Sequence, residues 1–238
     1  TRSDVLMAPV RPDAVTLTGF DCTPLPGERM VWGHVTELVP PVPFGLGPPI
    51  VGANVCVAGG AGPCATTMET GLYALDLPAA GEHALTYDGA GRQPVLVALT
   101  AGGDDVFRYV ALPGAADLEA AAAAFGVAHD PGAGAIEFFT TAAGVSAAMT
   151  VGTAVGPHYL GPAGEADPGL SATSTAGAGL FFSAAPAPFV ELALERPVAP
   201  SPCVALDGTG WPSPSAGRIR VPVAAGYLTY AAVDCGAP

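Results

Sequence analysis

Short apolar runs in which every second side chain is polar or small recur along the chain and predict β-strands. Tyr73, Leu75 and Leu77 lie on one face of such a run, and residues 189–195 and 218–223 follow the same period of two. Successive side chains of a strand point to opposite faces of its sheet. Each of these strands is therefore expected to bury one face, as the strands of a β-sandwich do.

One stretch departs from the strand pattern, and it lies between the two strand-rich halves. Residues 117–125 contain five consecutive alanines and predict a short helix. We expect Asp117 to cap the start of this helix and Gly126 to end it. Because alanine side chains are small, the helix is interpreted as a connector that packs against a sheet.

The two halves share a short motif. Residues 67–77, TMETGLYALDL, are similar to residues 173–183, TSTAGAGLFFS. Each segment begins with Thr, has Gly four positions later and continues into a strand with an aromatic residue. Gly71 is expected to supply the positive φ of a tight turn. This self-similarity predicts two similar units in one chain.

Three segments of the first half carry a resemblance to a known family. They are GHV at residues 33–35, GANV at residues 52–55 and TTMETGLYALDLPAAGEHAL at residues 66–85. Together they resemble the carboxypeptidase regulatory-like domain, a transthyretin-like β-sandwich of secreted and cell-surface proteins. The chain departs from that family at Thr70, where Asp is usual, and at His83, where Tyr is commoner. The resemblance implies a fold and an extracellular setting, and it supplies no catalytic residues.

These patterns predict an all-β protein of two tandem Ig-like or transthyretin-like β-sandwich domains joined by a short Ala-rich helix. Residues 1–28 are assigned to an N-terminal extension and residues 29–113 to the carboxypeptidase regulatory-like sandwich. Residues 114–130 are assigned to the helical connector and residues 131–238 to a second, divergent sandwich.

The charge balance argues against nucleic acid as a partner. The chain of 238 residues has 8 basic and 21 acidic side chains, and it contains no lysine. Nucleic-acid binding needs clustered cationic side chains that neutralise phosphates, and only Arg218 and Arg220 lie close together. No uninterrupted apolar run of about 18 residues is present, so a membrane-spanning helix is not expected. The absence of lysine excludes Schiff-base catalysis.

Five cysteines without a CxxC motif predict structural disulfides and an oxidising compartment. Cys56 and Cys64 bracket a hairpin-like loop, and Cys203 and Cys235 are expected to tie a late strand to the last one. Cys22 is then left over as a buried thiol, an interdomain partner that changes the pairing, or a link to another chain. We therefore expect a secreted, cell-surface or periplasmic protein.

We find no constellation of residues that predicts catalysis, a cofactor or a metal ion. The four histidines lack the short spacings of zinc ligands; they are His34, His83, His129 and His158. The acidic pairs at residues 104–105 and 165–167 offer too few oxygens for calcium. The serines lack the GxSxG nucleophile elbow. The chain is therefore expected not to be an enzyme.

Two functional hypotheses follow from these expectations. The first is a non-catalytic structural or protein-interaction subunit of the cell surface, which binds protein partners or assembles with itself. The strand-like residues 13–20 offer a segment that augments a sheet. The second is a ligand-binding accessory module, for example for glycans, that uses Trp211. Trp211 is expected either to be exposed in its loop or to fold back over the sandwich, and Trp32 is expected in the core.

Overall fold

The computed structural model describes residues 27–39, 45–60, 62–100, 105–197, 202–206 and 209–236. These residues form seventeen strands and one helix, so the prediction of an all-β fold is confirmed. The strands of the first half are β1 (Glu28–Val39), β2 (Gly45–Pro49), β3 (Asn54–Val57), β4 (Cys64–Thr66), β5 (Leu72–Pro78), β6 (His83–Asp88), β7 (Val95–Leu99) and β8 (Val106–Leu112). The helix α1 (Asp117–Ala124) follows. The strands of the second half are β9 (Gly134–Thr140), β10 (Ser146–Val151), β11 (Val155–Tyr159), β12 (Ala178–Ala184), β13 (Ala187–Glu195), β14 (Val204–Ala205), β15 (Trp211–Pro212), β16 (Arg218–Val223) and β17 (Leu228–Asp234).

The strands assemble into three sheets. In the first sheet, β1 pairs antiparallel with β5 and β2 along one edge and parallel with β8 along the other. The second sheet has nine strands in the order β11-β12-β9-β17-β7-β6-β3-β4, and β14 also pairs with β17. The third sheet has the order β10-β13-β16-β15.

The two halves build sandwiches with the same strand order. In the first half, β1 pairs antiparallel with β5 and parallel with β8, and β9 does the same with β12 and β17 in the second half. The opposing layer is the antiparallel set β3-β6-β7 in the first half and β10-β13-β16 in the second. The β-sandwich fold that the family resemblance implies is therefore observed.

The halves are joined by strand pairing as well as by the predicted helix. β17 pairs in parallel with β7, with Leu228 opposite Val95 and Tyr230 opposite Val97. The amide of Leu228 donates to the carbonyl of Pro94 at 2.9 Å. All five residues of β7 are buried, as expected for a strand covered on both faces. One layer of each sandwich thus merges into the shared nine-stranded sheet.

The first glycine corner is built around Thr67 and Gly71. The Thr67 hydroxyl accepts a hydrogen bond from the Ala53 amide at 2.9 Å and donates to the Ile50 carbonyl at 2.6 Å. Gly71 has a φ of +74°, and its carbonyl accepts the Val35 amide at 2.9 Å. A Cβ at Gly71 would clash with the Val35 carbonyl oxygen. Glycine is therefore required both by φ and by the close approach of the strands.

The second corner repeats these contacts around Thr173 and Gly177. The Thr173 hydroxyl accepts from the Val145 amide at 3.0 Å and donates to the Ala142 carbonyl at 3.1 Å. Gly177 has a φ of +69°, its carbonyl accepts the Thr140 amide at 2.6 Å, and a Cβ there would clash with the Thr140 carbonyl oxygen. The repeated sequence motif thus forms the same turn in both halves.

The nine-stranded sheet has a large apolar core on each face. The first core holds the predicted set Tyr73, Leu75 and Leu77 and lies against the first sheet. The second core holds the predicted apolar side chains of β13 and lies against the third sheet. The first core also extends under α1, because Leu118 and Phe125 share it with residues of β9, β12 and β17. The burial of one face in each alternating strand is therefore as predicted.

The helix lies where the alanine run predicted it, but its start is built differently. Asp117 is the first helical residue, and the capping position is Ala116, which makes no side-chain cap bond. The Asp117 carboxylate instead accepts the Gly114 amide at 2.7 Å. The prediction of Asp117 as the cap is therefore wrong by one position, because its carboxylate closes the preceding turn. No helix of the described residues is long and apolar enough to cross a membrane.

Candidate functional site

Both predicted cysteine pairs form disulfides. Cys56–Cys64 joins β3 to β4 across the hairpin. Cys203–Cys235 joins the segment before β14 to the residue after β17. Both bonds tie short segments to the shared sheet. Cys22 lies outside the residues that the structure describes.

Trp211 folds back over the sandwich and is 8% exposed. Its indole Nε1 donates to the carbonyls of His83 at 3.1 Å and Leu99 at 3.0 Å. Its ring belongs to a small cluster of buried apolar residues with Ala84, Leu96 and Ala98. Of the two placements that the sequence left open, the structure has the packed one. Trp211 thus links the third sheet to β6 and β7 of the first half.

The predicted histidines are dispersed. His34 lies in β1, and the Nε2 atom of His83 is 3.0 Å from the Pro78 carbonyl oxygen. The rings of His129 and His158 both lie near Phe182, with centroids 6.3 and 5.7 Å from it. Within the described ranges, no group of three or more His, Cys, Asp or Glu residues is placed to hold a metal ion.

The loop carboxylates make contacts inside their own loops or between strands. Asp105 accepts the Met30 amide at 2.9 Å, which ties the start of β8 to β1. Glu165 and Asp167 accept backbone amides two residues away at 2.9 and 3.0 Å. These bonds give the three carboxylates structural roles. Asp104 falls outside the described residues.

Glu191 lies in a polar network on the outer face of the third sheet. Its carboxylate accepts hydrogen bonds from Ser213 at 2.6 Å, Arg218 at 2.8 Å and Thr150 at 2.8 Å. These bonds lower the pKa of Glu191 to about 2, because they stabilise the charged form. The network connects β10, β13 and β16, so it is a bracing element of that sheet.

Glu137 is a buried carboxyl group in β9. It lies opposite Leu180 of β12 and Tyr230 of β17 and is 7% exposed. Burial raises the pKa of Glu137 to about 8, because the charged form loses its hydration. Glu137 is therefore mostly protonated at neutral pH, and its ionisation is coupled to the stability of the shared sheet.

Four half-buried aromatic side chains cluster on the outward face of the first sheet. This aromatic patch consists of Trp32, His34, Phe107 and Tyr109. The ring centroids of Trp32 and Phe107 are 4.4 Å apart in an edge contact, and those of His34 and Tyr109 are 5.2 Å apart in a stack. The edge contact of Phe107 with Tyr109, at 4.9 Å, connects the two pairs.

The expectation that Trp32 lies in the core is wrong. Val31 and Val35 point into the first core, so the alternation of β1 places Trp32 and His34 on the opposite, outward face. Half-buried aromatic rings on an outward sheet face are typical of surfaces that bind another molecule. The alternation around residue 33 is the sequence signal that identifies this patch.

Gly33 allows the two strands of the patch to pair. A Cβ at this position would overlap the carbonyl oxygen of Arg108 in β8. Glycine is therefore required by the close approach of β8 to β1, since backbone atoms cannot move aside as a flexible side chain can. This approach is what brings Phe107 and Tyr109 beside Trp32 and His34.

The patch lies next to an open sheet edge. β8 has β1 on one side, and across the described part of the chain no other strand pairs with it. An open edge presents unpaired backbone donors and acceptors to a partner strand. An aromatic face and an adjoining edge together form a surface suited to binding a protein.

No protein-family model matches the chain. No curated protein matches it significantly. Among solved structures, the chain is similar to the Bacillus anthracis TIE protein at 10% identity and a TM-score of 0.29, over 88% of this chain and 34% of that one. It is also similar to GBS52, the minor pilin of Streptococcus agalactiae, at 10% identity and a TM-score of 0.26, over 88% of this chain and 97% of that one. It is similar as well to the shaft pilin spaA of Lactobacillus rhamnosus GG, at 10% identity and a TM-score of 0.26, over 89% of this chain and 98% of that one. Similarity at this level does not indicate a shared function.

Proposed function

We propose that the chain is a non-catalytic structural or protein-interaction subunit of an extracellular or cell-surface assembly. The observation that carries this proposal is the aromatic patch beside the open edge of β8. Trp and Tyr are enriched where protein surfaces meet, because they supply large contact areas at a small entropic cost. An unpaired strand adds directional backbone hydrogen bonds.

Several features of the two sandwiches support a structural role. The shared nine-stranded sheet restrains the two sandwiches against each other, and each half contains one disulfide that ties a short segment to that sheet. The disulfides also favour an oxidising compartment. The carboxylates of Glu191 and Asp105 hold strands together through hydrogen bonds.

We also propose a domain assignment that follows the sequence boundaries. Residues 29–113 and 131–238 are taken as two copies of a transthyretin-like sandwich, with the carboxypeptidase regulatory-like family as the model for the first copy. Residues 114–130 are the connector and residues 1–28 are an N-terminal extension. The matching corners at Thr67 and Thr173 support this assignment.

The functional proposal is tested by locating the chain in its own host and measuring the size of the complex that contains it. A tagged chain expressed in its own host is expected in the secreted or cell-surface fraction, in a complex heavier than 23.4 kDa. A variant with Trp32→Ala and Phe107→Ala is expected to leave that complex while keeping its folded spectrum. Recovery from the cytoplasm, or as a single chain in every fraction, would contradict the proposal.

A glycan-binding role would also have to use the aromatic patch, because Trp211 is buried. Aromatic rings on an open sheet face are the feature that favours this second candidate. Trp32 offers a direct readout, since its half-buried ring would report bound sugar by its fluorescence. Saturable quenching by soluble oligosaccharides, lost in Trp32→Phe, would favour glycan binding over protein contact.

A further inference from the structure

β8 is the counterpart of β17 in the strand order of the two halves. Each is the last strand of its half and pairs in parallel with the first, with Val106 opposite Val31 and Leu228 opposite Ala135. On its other edge, β17 has a second neighbour, β7. β8 has no such neighbour among the residues that the structure describes. The same type of edge is thus filled in one half and open in the other.

The outward faces of the two corresponding sheets differ in the same way. The Val35 amide donates to the carbonyl of the first corner glycine, and the Thr140 amide donates to that of the second. Val35 and Thr140 are therefore equivalent positions, and so are the residues before them, His34 and Phe139. Phe139 is 6% exposed and shares the first core with Phe125, the residue that follows α1. The corresponding face in the first half carries the half-buried aromatic patch. Within the described part of the chain, the fold therefore shows both an edge and a face that are covered at one position and uncovered at the equivalent one.

A second copy of the chain can fill the open edge only with certain strands. Its β7 edge is already taken by β17, and its β16 is capped by β15, with Trp211 opposite Arg220. Among the described residues, its own β8 has no strand on that edge, although the Ala111 carbonyl near the end of β8 already accepts the Tyr230 hydroxyl. An antiparallel pairing of β8 with β8 of a second copy satisfies both edges through one twofold axis. Because that axis is perpendicular to the sheet, the two aromatic patches come to lie on the same face.

The charge distribution favours self-pairing at this strand. The chain carries a formal net charge of −13, so two copies repel each other overall. The segment Val106–Leu112 contains no acidic residue. Its one charged side chain, Arg108, is 2% exposed and points into the core, near Tyr73 and Tyr87. Two copies of β8 can therefore pair without placing like charges opposite each other on the outward face.

We propose that this chain forms a twofold dimer through antiparallel pairing of β8, which joins the first sheets of two copies and the two aromatic patches into one surface. This inference rests on the proposed function and names its partner as a second copy. The aromatic rings of Phe107 and Tyr109 supply the side-chain contacts next to the axis, and the backbone of β8 supplies the hydrogen bonds.

Light scattering coupled to size exclusion tests the dimer. The oxidised chain is measured from about 1 µM to about 1 mM, a range that resolves weak and strong dimers. The expected mass is twice 23.4 kDa at the upper end. Tyr109→Lys places a like charge on each copy beside the axis, and it is expected to raise the dimer dissociation constant at least tenfold.

A matched control uses the other end of the shared sheet. Val155 is exposed in the edge strand β11, so Val155→Lys adds the same charge at an edge that the proposal leaves unused. This variant is expected to keep the dissociation constant of the wild type. Phe107→Glu is a second patch variant, and a cooperative thermal unfolding transition verifies that each variant is folded.

Three outcomes overturn the dimer. They are a wild-type chain that stays monomeric at every concentration, a dimer that Tyr109→Lys and Phe107→Glu leave intact, and a dimer that Val155→Lys abolishes. If the wild type is monomeric and a chain without residues 1–26 dimerises, the N-terminal segment is the occupant of the edge instead. A monomeric chain that still enters a larger complex in its own host overturns self-pairing but leaves the proposed function standing.

Discussion

Tyr230 of the second half lies directly opposite Val97 of the first half in the parallel pairing of β17 with β7. The Tyr230 hydroxyl also donates to the carbonyl of Ala111 in β8 at 2.9 Å. One residue thus contacts two strands of the other sandwich. The two halves are therefore coupled through backbone pairing, through this hydrogen bond and through the first core that they share.

Tyr230→Phe is expected to destabilise the chain by about 1 kcal/mol, because it leaves a buried carbonyl without its donor. Urea unfolding measures the change. Tyr227→Phe is the matched control, since Tyr227 is only partly buried beside Trp211. Equal stability of the wild type and Tyr230→Phe would show that the hydroxyl does not couple the halves.

Gly33→Ala is expected to destabilise by more than about 3 kcal/mol, since its methyl group would overlap the Arg108 carbonyl oxygen and force β8 away from β1. The free energy of unfolding and the near-ultraviolet spectrum of Trp32 both report this change. Gly132→Ala is the comparison, because its nearest neighbour is an oxygen of the Asp130 side chain at 3.2 Å. A loss no larger than that of Gly132→Ala would contradict the close approach.

Glu137 is expected to make the protein less stable as pH rises. Its pKa is about 8 in the folded state against an ordinary value of 4.5. The folded state therefore holds the proton more tightly, and this contribution is complete below pH 4.5 and is lost as pH rises through 8. The linked loss is on the order of 5 kcal/mol.

Glu137→Gln isolates that effect from the general repulsion of an acidic chain. This variant is expected to lose the dependence of unfolding free energy on pH between about 5 and about 8, and to exceed the wild type in stability at alkaline pH. Glu195→Gln removes an exposed charge and serves as the control. Parallel pH profiles of the wild type and Glu137→Gln would rule out a buried, protonated Glu137.

Glu191 is expected to make the protein less stable as pH falls into the acid range. Its pKa is about 2, so its stabilising contribution is present above pH 4.5 and is lost as pH falls toward 2. Glu191→Gln is therefore expected to lose stability at neutral pH and to unfold with a weaker acid dependence. Urea midpoints at neutral and acid pH provide the measurement, and unchanged acid dependence would argue against the network.

The two disulfides are expected to contribute unequally. Cys203–Cys235 closes a sequence separation of 32, whereas Cys56–Cys64 closes 8. Loop-closure entropy then predicts about 4 kcal/mol for the longer loop and about 2.5 kcal/mol for the shorter one. Paired Cys→Ser variants compared by thermal unfolding give the ranking. The reverse ranking would mean that native-state contacts outweigh chain entropy.

Local sequence patterns were sufficient for much of the fold. The period of two placed Tyr73 and Leu192 in the cores, and the Thr-to-Gly spacing identified both corners. These features depend on residues that are close in sequence. The same alternation also places Trp32 outside, but its large apolar ring favoured a core assignment. In β1, the position in the pleat outweighed the hydrophobicity of the residue.

The parts that the sequence did not predict depend on distant contacts. Residues 94–99 form an uninterrupted apolar run, which indicates a strand buried on both faces, but nothing in the run specifies β17 as its neighbour. Trp211 lies in a loop rich in Gly, Pro and Ser, and its burial depends on carbonyls more than 100 residues away in the chain. Single-sequence periodicity carries no information about such pairings.

Native-state hydrogen exchange at the Leu228 amide tests most directly whether the two sandwiches form one body. This amide donates to Pro94 across the joint between β17 and β7. If the shared sheet couples the halves, the amide is expected to exchange with the free energy of global unfolding, as core amides of both halves do. Exchange of Leu228 at a much lower free energy, while both cores stay protected, would show instead that the halves are independent.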